Sequence, residues 1–248
     1  MIIIKTKEEI KIMAEGGKIL AKIMKELAKM IKPGIITQEL DRAAEALVFK
    51  YGVKPSFKGY EGFPASLCVS INEEIVHGLP SKRKLKEGDI ASLDLGVIHK
   101  GFHSDMALTL PVGKIDSETA RLIRITKKSL KIGIKKVRPG NTIGDIGNTI
   151  QRYVESQGFN VVHDLCGHGI GRNLHEDPQI LNYGRRKTGP KIKEGMVLCL
   201  EPMVAVGESQ IKKTENDYTF KTIDDSLSCH FEHEIVVTED GCKVLTEI

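Results

Sequence analysis

Apolar residues recur every three to four positions, with charged residues between them, over 7–31, 37–51, 117–136 and 142–157 of the 248-residue chain. That spacing predicts four amphipathic helices, because residues so placed share one face of a 3.6-residue turn. Pro33-Gly34 and Pro139-Gly140 stop the first and third, and Thr37 and Thr142 stand where the second and fourth begin. Apolar runs of strand character fill the rest, at 65–71, 90–97, 101–112, 161–165, 196–206, 217–222 and 230–238. Several strands follow one another outside any βαβ alternation, which predicts an α+β domain with a largely antiparallel sheet.

The pattern also repeats. Ile31-Lys-Pro-Gly34 returns as Val137-Arg-Pro-Gly140, each after one helical stretch and before another that ends in glycine, at Gly52 and Gly158. Both landmarks are displaced by 106 residues. Lys86-Glu-Gly88 and Lys193-Glu-Gly195, displaced by 107, each open an apolar run that ends in an acid, Asp94 or Glu201. Four landmarks in order at near-constant spacing imply two related helix-helix-strand halves, roughly 11–112 and 117–238, within a single domain spanning 1–248. Such halves bring equivalent acids face to face across the join.

Charged residues at 28% and apolar residues at 40% are the proportions of a compact globular chain, too balanced for long disorder. The net charge of +4 is spread along amphipathic stretches such as 18–32 and 121–138, which read as solvated helix faces. No aromatic platform for single strands accompanies them, so no specific nucleic-acid partner is expected. Cys68, Cys166, Cys199, Cys229 and Cys242 form no Cys-x-x-Cys pair, and their odd number fits a reducing compartment better than a disulfide framework. Residues 1–13 make neither a signal peptide nor a membrane span, so a cytoplasmic protein without membrane contact is expected.

Acids in apolar runs change the picture. Asp94 lies inside Ile90-Ala-Ser-Leu-Asp-Leu-Gly96, where a carboxylate is costly to bury without a cation partner. If His99-Lys100 forms a two-residue turn, Asp105 falls directly opposite it, with β-carbons roughly 4.5 to 5.5 Å apart. Two carboxylates that close repel unless a proton or a metal lies between them. Isolated acids are more often surface groups answered by lysines, but the apolar flanks weigh against that. Glu201 repeats the arrangement in Met196-Val-Leu-Cys-Leu-Glu-Pro202, and Glu232 sits in His230-Phe-Glu-His-Glu-Ile-Val-Val237. In Cys166-Gly-His-Gly-Ile-Gly-Arg-Asn-Leu-His-Glu-Asp-Pro178, two histidines stand seven apart among glycines that let the backbone crowd a site. One can ligate while the other acts on substrate. Gly167-x-Gly169-x-Gly171 lacks the third-glycine spacing and the later acid of a dinucleotide loop, and His175-Glu176 lacks the second histidine of a helical zinc-protease motif.

Together with Gly59-Tyr-x-Gly-Phe-Pro64, Ser70-Ile-Asn-Glu-Glu-Ile-Val-His-Gly-Leu-Pro80, Glu201-Pro-Met203 and Phe231-Glu-His233, these residues give the chain a resemblance over nearly its whole length. It resembles the type I methionine aminopeptidases and, through them, the pita-bread metallopeptidases. The resemblance implies a pita-bread fold of pseudo-two-fold halves, its antiparallel sheet covered by helices and its metal site at the centre. It implies a dinuclear site in which Asp105 and Glu232 bridge both ions, Asp94 serves one, and His168 and Glu201 serve the other. Such an oxygen-rich set suits Mn, Fe or Co, with Zn a further option. Two cations lower the pKa of a bridging water from about 15.7 towards 7, and the hydroxide attacks the first peptide carbonyl. One ion also takes the free amine, which confines cleavage to the terminal residue. His77 and His175 are implied to stabilise the tetrahedral intermediate and handle the leaving amine, with Glu201 counted as catalytic beside them. From local sequence alone His77 reads equally well as a turn histidine.

The same resemblance implies a methionine pocket walled by Tyr60, Phe63 and Cys68, beside His77 and His175 as substrate-binding groups; an unbranched thioether fits such a cleft. Phe57, Leu174, Tyr218 and Cys229-His230 depart from residues frequent in the family. N-terminal methionine peptides and nascent chains are the implied substrates, with the ribosome as a transient partner and the enzyme acting as a monomer. A proline-directed relative of the same fold would use the same five ligands but carry an extra N-terminal domain, and a non-catalytic binding module would have lost ligands. His99 and His163 read as structural or exposed, and His103 and His233 as candidate donors to the neighbouring acids.

Overall fold

A computed structural model describes residues 1–247 of the chain. The four helices form where the apolar periodicity places them: α1 (Lys7–Ala28), α2 (Thr37–Lys50), α3 (Ser117–Ile134) and α4 (Ile143–Ser156). Each start has a local cause. The Thr6 hydroxyl accepts from the Glu9 N–H while the Glu9 carboxylate takes the Thr6 N–H, a reciprocal cap on α1. Asp116 caps α3 by accepting from the Glu118 and Thr119 N–H groups, and the Asp145 carboxylate takes the Thr142 N–H at the start of α4.

The helices cover a sheet assembled twice. In the first half Leu67–Ile71, Ile90–His99 and Phe102–Pro111 lie side by side, all antiparallel. In the second, Gly167–Gly169, Val197–Leu200 and His233–Val237 follow the same order and sense, widened by Glu176–Ile180 and Cys242–Val244. Each half has its own apolar core: α1 and α2 pack on Leu67, Val69, Leu93 and Leu95, while α3 and α4 pack on Leu198, Leu200, Ile235 and Val237. The pseudo-symmetry extends to single hydrogen bonds. Thr37 N–H donates to Arg83 O at 3.0 Å and Ile143 N–H to Pro190 O at 3.0 Å; Leu85 N–H donates to Ile35 O at 2.9 Å and Ile192 N–H to Asn141 O at 2.9 Å. Gly34 and Gly140, each six residues past the end of the first helix of its half, have φ of 89° and 90°, which an L side chain rarely adopts.

Several strand expectations change. The 196–206 run divides into Val197–Leu200 and Met203–Ala205, which belong to different sheets. Pro202 has no N–H for the ladder, so the chain turns there and leaves Glu201 at the corner. The 230–238 run divides likewise into Ser228–His230 and His233–Val237, with Glu232 at its corner. The expected 161–165 and 217–222 strands shrink to Asn160–Val161 and Phe220–Thr222. Short strands at Gly167–Gly169, Glu176–Ile180 and Cys242–Val244 carry too few alternating apolar residues to announce themselves.

The hairpin turn is also displaced by one residue. Lys100 and Gly101 form it, with φ of 49° and 83°, and His99 pairs with Phe102. Positive φ at both central residues matches the twist of the flanking strands. Asp94 therefore faces Ala107, and Asp105 faces Gly96. The two acids are diagonal rather than directly opposed, and still share one face of the sheet. Among the described residues no helix is long and apolar enough to cross a membrane.

Candidate metal centre

The two halves meet where 230–232 docks on the Phe102–Pro111 strand: Glu232 N–H donates to Ala107 O at 2.9 Å. That contact brings Glu232 over the face that carries Asp94 and Asp105. Ligand atoms of Asp94, Asp105 and Glu232 lie within 4.8 Å of one another, and so do those of His168, Cys199 and Glu232. Glu232 belongs to both groups. His168 Nε2 stands 3.6 Å from Glu201 Oε1, so all five expected ligands converge on one place.

The local sequence explains how His168 enters so crowded a region. A Cβ at Gly167 would press on the Cys199 carbonyl and one at Gly169 on the Asp177 carbonyl, so only glycine lets this backbone run between its neighbours. His168 Nδ1 lies 2.9 Å from its acceptor, the Gly169 carbonyl. A carbonyl only accepts, so Nδ1 carries the proton and Nε2 is a lone pair. Burial holds this imidazole neutral, its pKa lowered to about 3. A lone pair thus faces a Glu201 oxygen, which in its ionised form has no hydrogen to offer.

The acids are in equal difficulty. Burial pushes Asp94 up to about 6, and burial followed by the charges of Glu232, Asp94 and Glu201 pushes Asp105 well above the usual carboxylate range. Burial likewise raises Glu201 and Glu232. Asp94 Oδ1 and Glu232 Oε1 are buried without a hydrogen-bond partner. Unpartnered carboxylate oxygens, crowded together and opposed to an imidazole lone pair, fit divalent cations, which relieve each of these conflicts.

A cavity of about 700 Å³ opens beside the acids, lined by every residue expected at the site: His77, His175, Tyr60, Phe63, Cys68, Asp94, Asp105, His168, Glu201 and Glu232. His175 is solvent-accessible, packs edge-on to His168 with ring centroids 4.5 Å apart, and its Nδ1 lies 3.0 Å from the Tyr60 hydroxyl. His77, with φ of 56°, lines the same cavity and packs edge-on to Phe220 at 5.8 Å. Phe57, Phe63, Cys68 and Leu174 make an apolar floor, and Tyr218 meets Phe63 edge-on at 5.6 Å. His103 and His233 turn elsewhere: their Nδ1 atoms bond Ser56 and Thr246 hydroxyls at 2.8 and 2.9 Å, and neither lines the cavity. His99 reaches Glu15 and His163 stacks on Tyr183, as structural histidines do.

Two groups beside the acids were not anticipated. Cys199 faces His168 across the ladder, and the imidazole of His230 comes within 3.5 Å of Glu201 Oε2. Each stands two residues before an expected ligand acid, but the strands end before those acids, and it is the folded register that brings the two side chains to the centre.

The model of metallopeptidase family M24 matches residues 11–239. The chain is 50% identical over 247 residues to a methionine aminopeptidase of Clostridium acetobutylicum, covering 99% of each. A crystal structure of methionine aminopeptidase from Thermotoga maritima superposes with a TM-score of 0.98 at 45% identity, covering 100% of both chains. A prolidase from Pyrococcus furiosus shares the fold with a TM-score of 0.81 at 25% identity, over 99% of this chain and 66% of that one. The architecture is thus the pita-bread α+β fold with pseudo-two-fold halves, and the chain belongs to metallopeptidase family M24 and, within it, to the type I methionine aminopeptidases.

Proposed function

We propose that the protein is a single catalytic domain that removes the N-terminal methionine from nascent proteins and peptides, using two divalent ions held by Asp94, Asp105, His168, Glu201 and Glu232. The observation that carries this reading is the convergence of acids from both halves on one face, with buried oxygens left unpartnered beside an imidazole lone pair. Glu232, common to both groups of ligand atoms, and Asp105, flanked by Asp94 and Glu232, would hold the cations most centrally, with Asp94, His168 and Glu201 completing the donor set. Divalent cations bound there supply Lewis acidity, which acidifies water and polarises the scissile carbonyl. The donor set is oxygen-rich with one imidazole, so Mn, Fe, Co and Zn all suit it.

The remaining steps fall to this chain's own side chains. The floor of Phe57, Phe63, Cys68 and Leu174 receives the unbranched methionine side chain and excludes water from it. With the Tyr60 hydroxyl donating to His175 Nδ1, the Nε2–H of His175 is free to donate to the carbonyl oxygen as negative charge develops there. His77, which lines the same cavity, is assigned to hold the peptide beyond the cut and to pass a proton to the leaving amine. The enzyme is assigned to the cytoplasm, as a monomer that meets its substrates at the ribosome, because nascent chains carry the N-terminal methionine it removes.

Steady-state cleavage of Met-Ala-Ser and Ala-Pro-type peptides by the cation-loaded enzyme tests the assignment. Preference for Met-Ala-Ser is expected. Preference for the second peptide transfers the protein to a proline-directed activity of the same fold.

A further inference from the structure

His230 is the one imidazole at the centre that the proposed reaction does not use. Its backbone is fixed from both sides. The His230 N–H donates to Thr109 Oγ1 at 3.0 Å, its carbonyl accepts from the same hydroxyl at 2.7 Å, and the residue pairs with Met203 across an antiparallel ladder. Strand alternation sends Cys229 into the core of the second half and the His230 ring the other way, towards the acids. The residue is 1% exposed, and neither ring nitrogen has a hydrogen-bond partner.

The carboxylate of Glu201 lies between two imidazoles, and the two are not alike. Oε1 is 3.6 Å from His168 Nε2, which is a lone pair because Nδ1 is committed to the Gly169 carbonyl. Oε2 is 3.5 Å from His230 Nε2, and no carbonyl or hydroxyl fixes the His230 tautomer. A proton on His230 Nε2 would point at Oε2, the carboxylate oxygen within ion-pair reach of the ring among the described residues; Asp94 is the second acid whose charge reaches it. That leaves Oε1 as the oxygen turned towards the space shared with His168.

We propose that His230 is a positioning residue of the metal centre: its Nε2–H donates to Glu201 Oε2 and holds the carboxylate with Oε1 presented to the ion that His168 shares. The inference rests on the reading of His168 and Glu201 as ligands. It follows the general behaviour of metal sites, in which a hydrogen-bonded outer partner fixes the orientation of a ligand and its loss weakens binding by about 10–100-fold.

Calorimetric titration with Co(II) tests it on the wild type, His230→Leu, His230→Gln and Cys229→Ala, with melting of each followed by circular dichroism in EDTA. The tighter ion is expected to bind about 10–100-fold more weakly to His230→Leu. His230→Gln restores an N–H at similar reach and is expected within a few-fold of the wild type. Cys229→Ala, one residue away but facing the core, is expected to melt lower and bind Co(II) as the wild type does. Equal affinity in His230→Leu and the wild type overturns the inference, and so does a glutamine variant as weak as the leucine one. The wild type alone supplies a second measurement: nitrogen-15 NMR of the Zn(II)-loaded protein is expected to show His230 protonated on Nε2, and protonation on Nδ1 instead overturns the proposal. A wild type that binds no Co(II) sinks the metal reading itself, which separates that failure from this one.

Discussion

Glu232 is the side chain on which the centre depends most, because its oxygens belong to both groups of clustered ligand atoms. Asp105 shares with it the strongest crowding by neighbouring charge. Asp105→Ala and Glu232→Ala are each expected to abolish peptidase activity and to lower the number of ions bound, read by metal analysis of dialysed protein. His175→Ala should behave differently: turnover falls by about 10²–10⁴-fold, the range for a lost proton-transfer or polarising group, while ion stoichiometry is unchanged. Loss of ions in His175→Ala would mean that this imidazole ligates. The gathering of the four acids was legible because carboxylates inside apolar runs have no inexpensive alternative to a cation, whereas the choice of His168 over His175 as the ligand came only with the family resemblance. Cys199 and His230 were not legible, since a buried cysteine or histidine in a strand is ordinarily core; only the folded register turns them towards Glu232 and Glu201.

The helices were readable within a few residues because each carries its own stop and start in sequence. Pro33-Gly34 and Pro139-Gly140 show how local that information is. Gly34 and Gly140 have positive φ, and a Cβ on either would meet nothing within 4 Å. Alanine at either position therefore costs only backbone strain, about 1–2 kcal/mol, and the two variants should lose equal stability in urea unfolding. A much larger loss at one of them would show that the pseudo-symmetric turns carry different loads. Strand limits were less readable where a run crosses from one sheet to another. Apolar character continues unbroken through Leu200, Met203 and Val204, but the ladder breaks at Glu201-Pro202. The same holds at Phe231-Glu232, so both second-half acids sit at corners that a hydropathy pattern cannot reveal. The one-residue displacement of the hairpin turn has a similar origin: Lys100-Gly101 supplies the positive φ values that His99-Lys100 would resist.

Considered as one folded object, the protein stores a pH dependence in its acids. Burial raises Asp94 to about 6 and Glu234 to about 8, and pushes Asp105, Glu201 and Glu232 well above their usual range. A carboxyl whose folded pKa exceeds its unfolded one contributes stability that is complete below the unfolded value and is lost as pH rises through the folded value. His168, lowered by burial to about 3, and His233, lowered to about 4, shift oppositely. Above about pH 7.5, a full unit past the ordinary histidine value, these histidines are nearly neutral in both states and add little slope. Between about pH 7.5 and 8.5 the raised carboxyls set the sign, and the buried Cys68 and Cys199, raised as well, act in the same direction. Protein held in EDTA should melt at progressively lower temperature across that window, each carboxyl still protonated in the fold contributing up to about 1.4 kcal/mol per pH unit. Saturating Mn(II) or Co(II) should raise the melting temperature and flatten the slope; a slope that is unchanged by cations would separate the acids from metal binding.

The division of the ligands between two separately packed cores has a consequence for the life of the protein. Asp94 and Glu232 are 138 residues apart, so a cation held by both rivets the first half of the chain to the second. An enzyme starved of metal is then more than idle: its seam rests on hydrogen bonds such as Glu232 N–H to Ala107 O, against acids left uncompensated, and is expected to open to proteases more often. Metal supply would govern how long each copy survives as well as how fast it works.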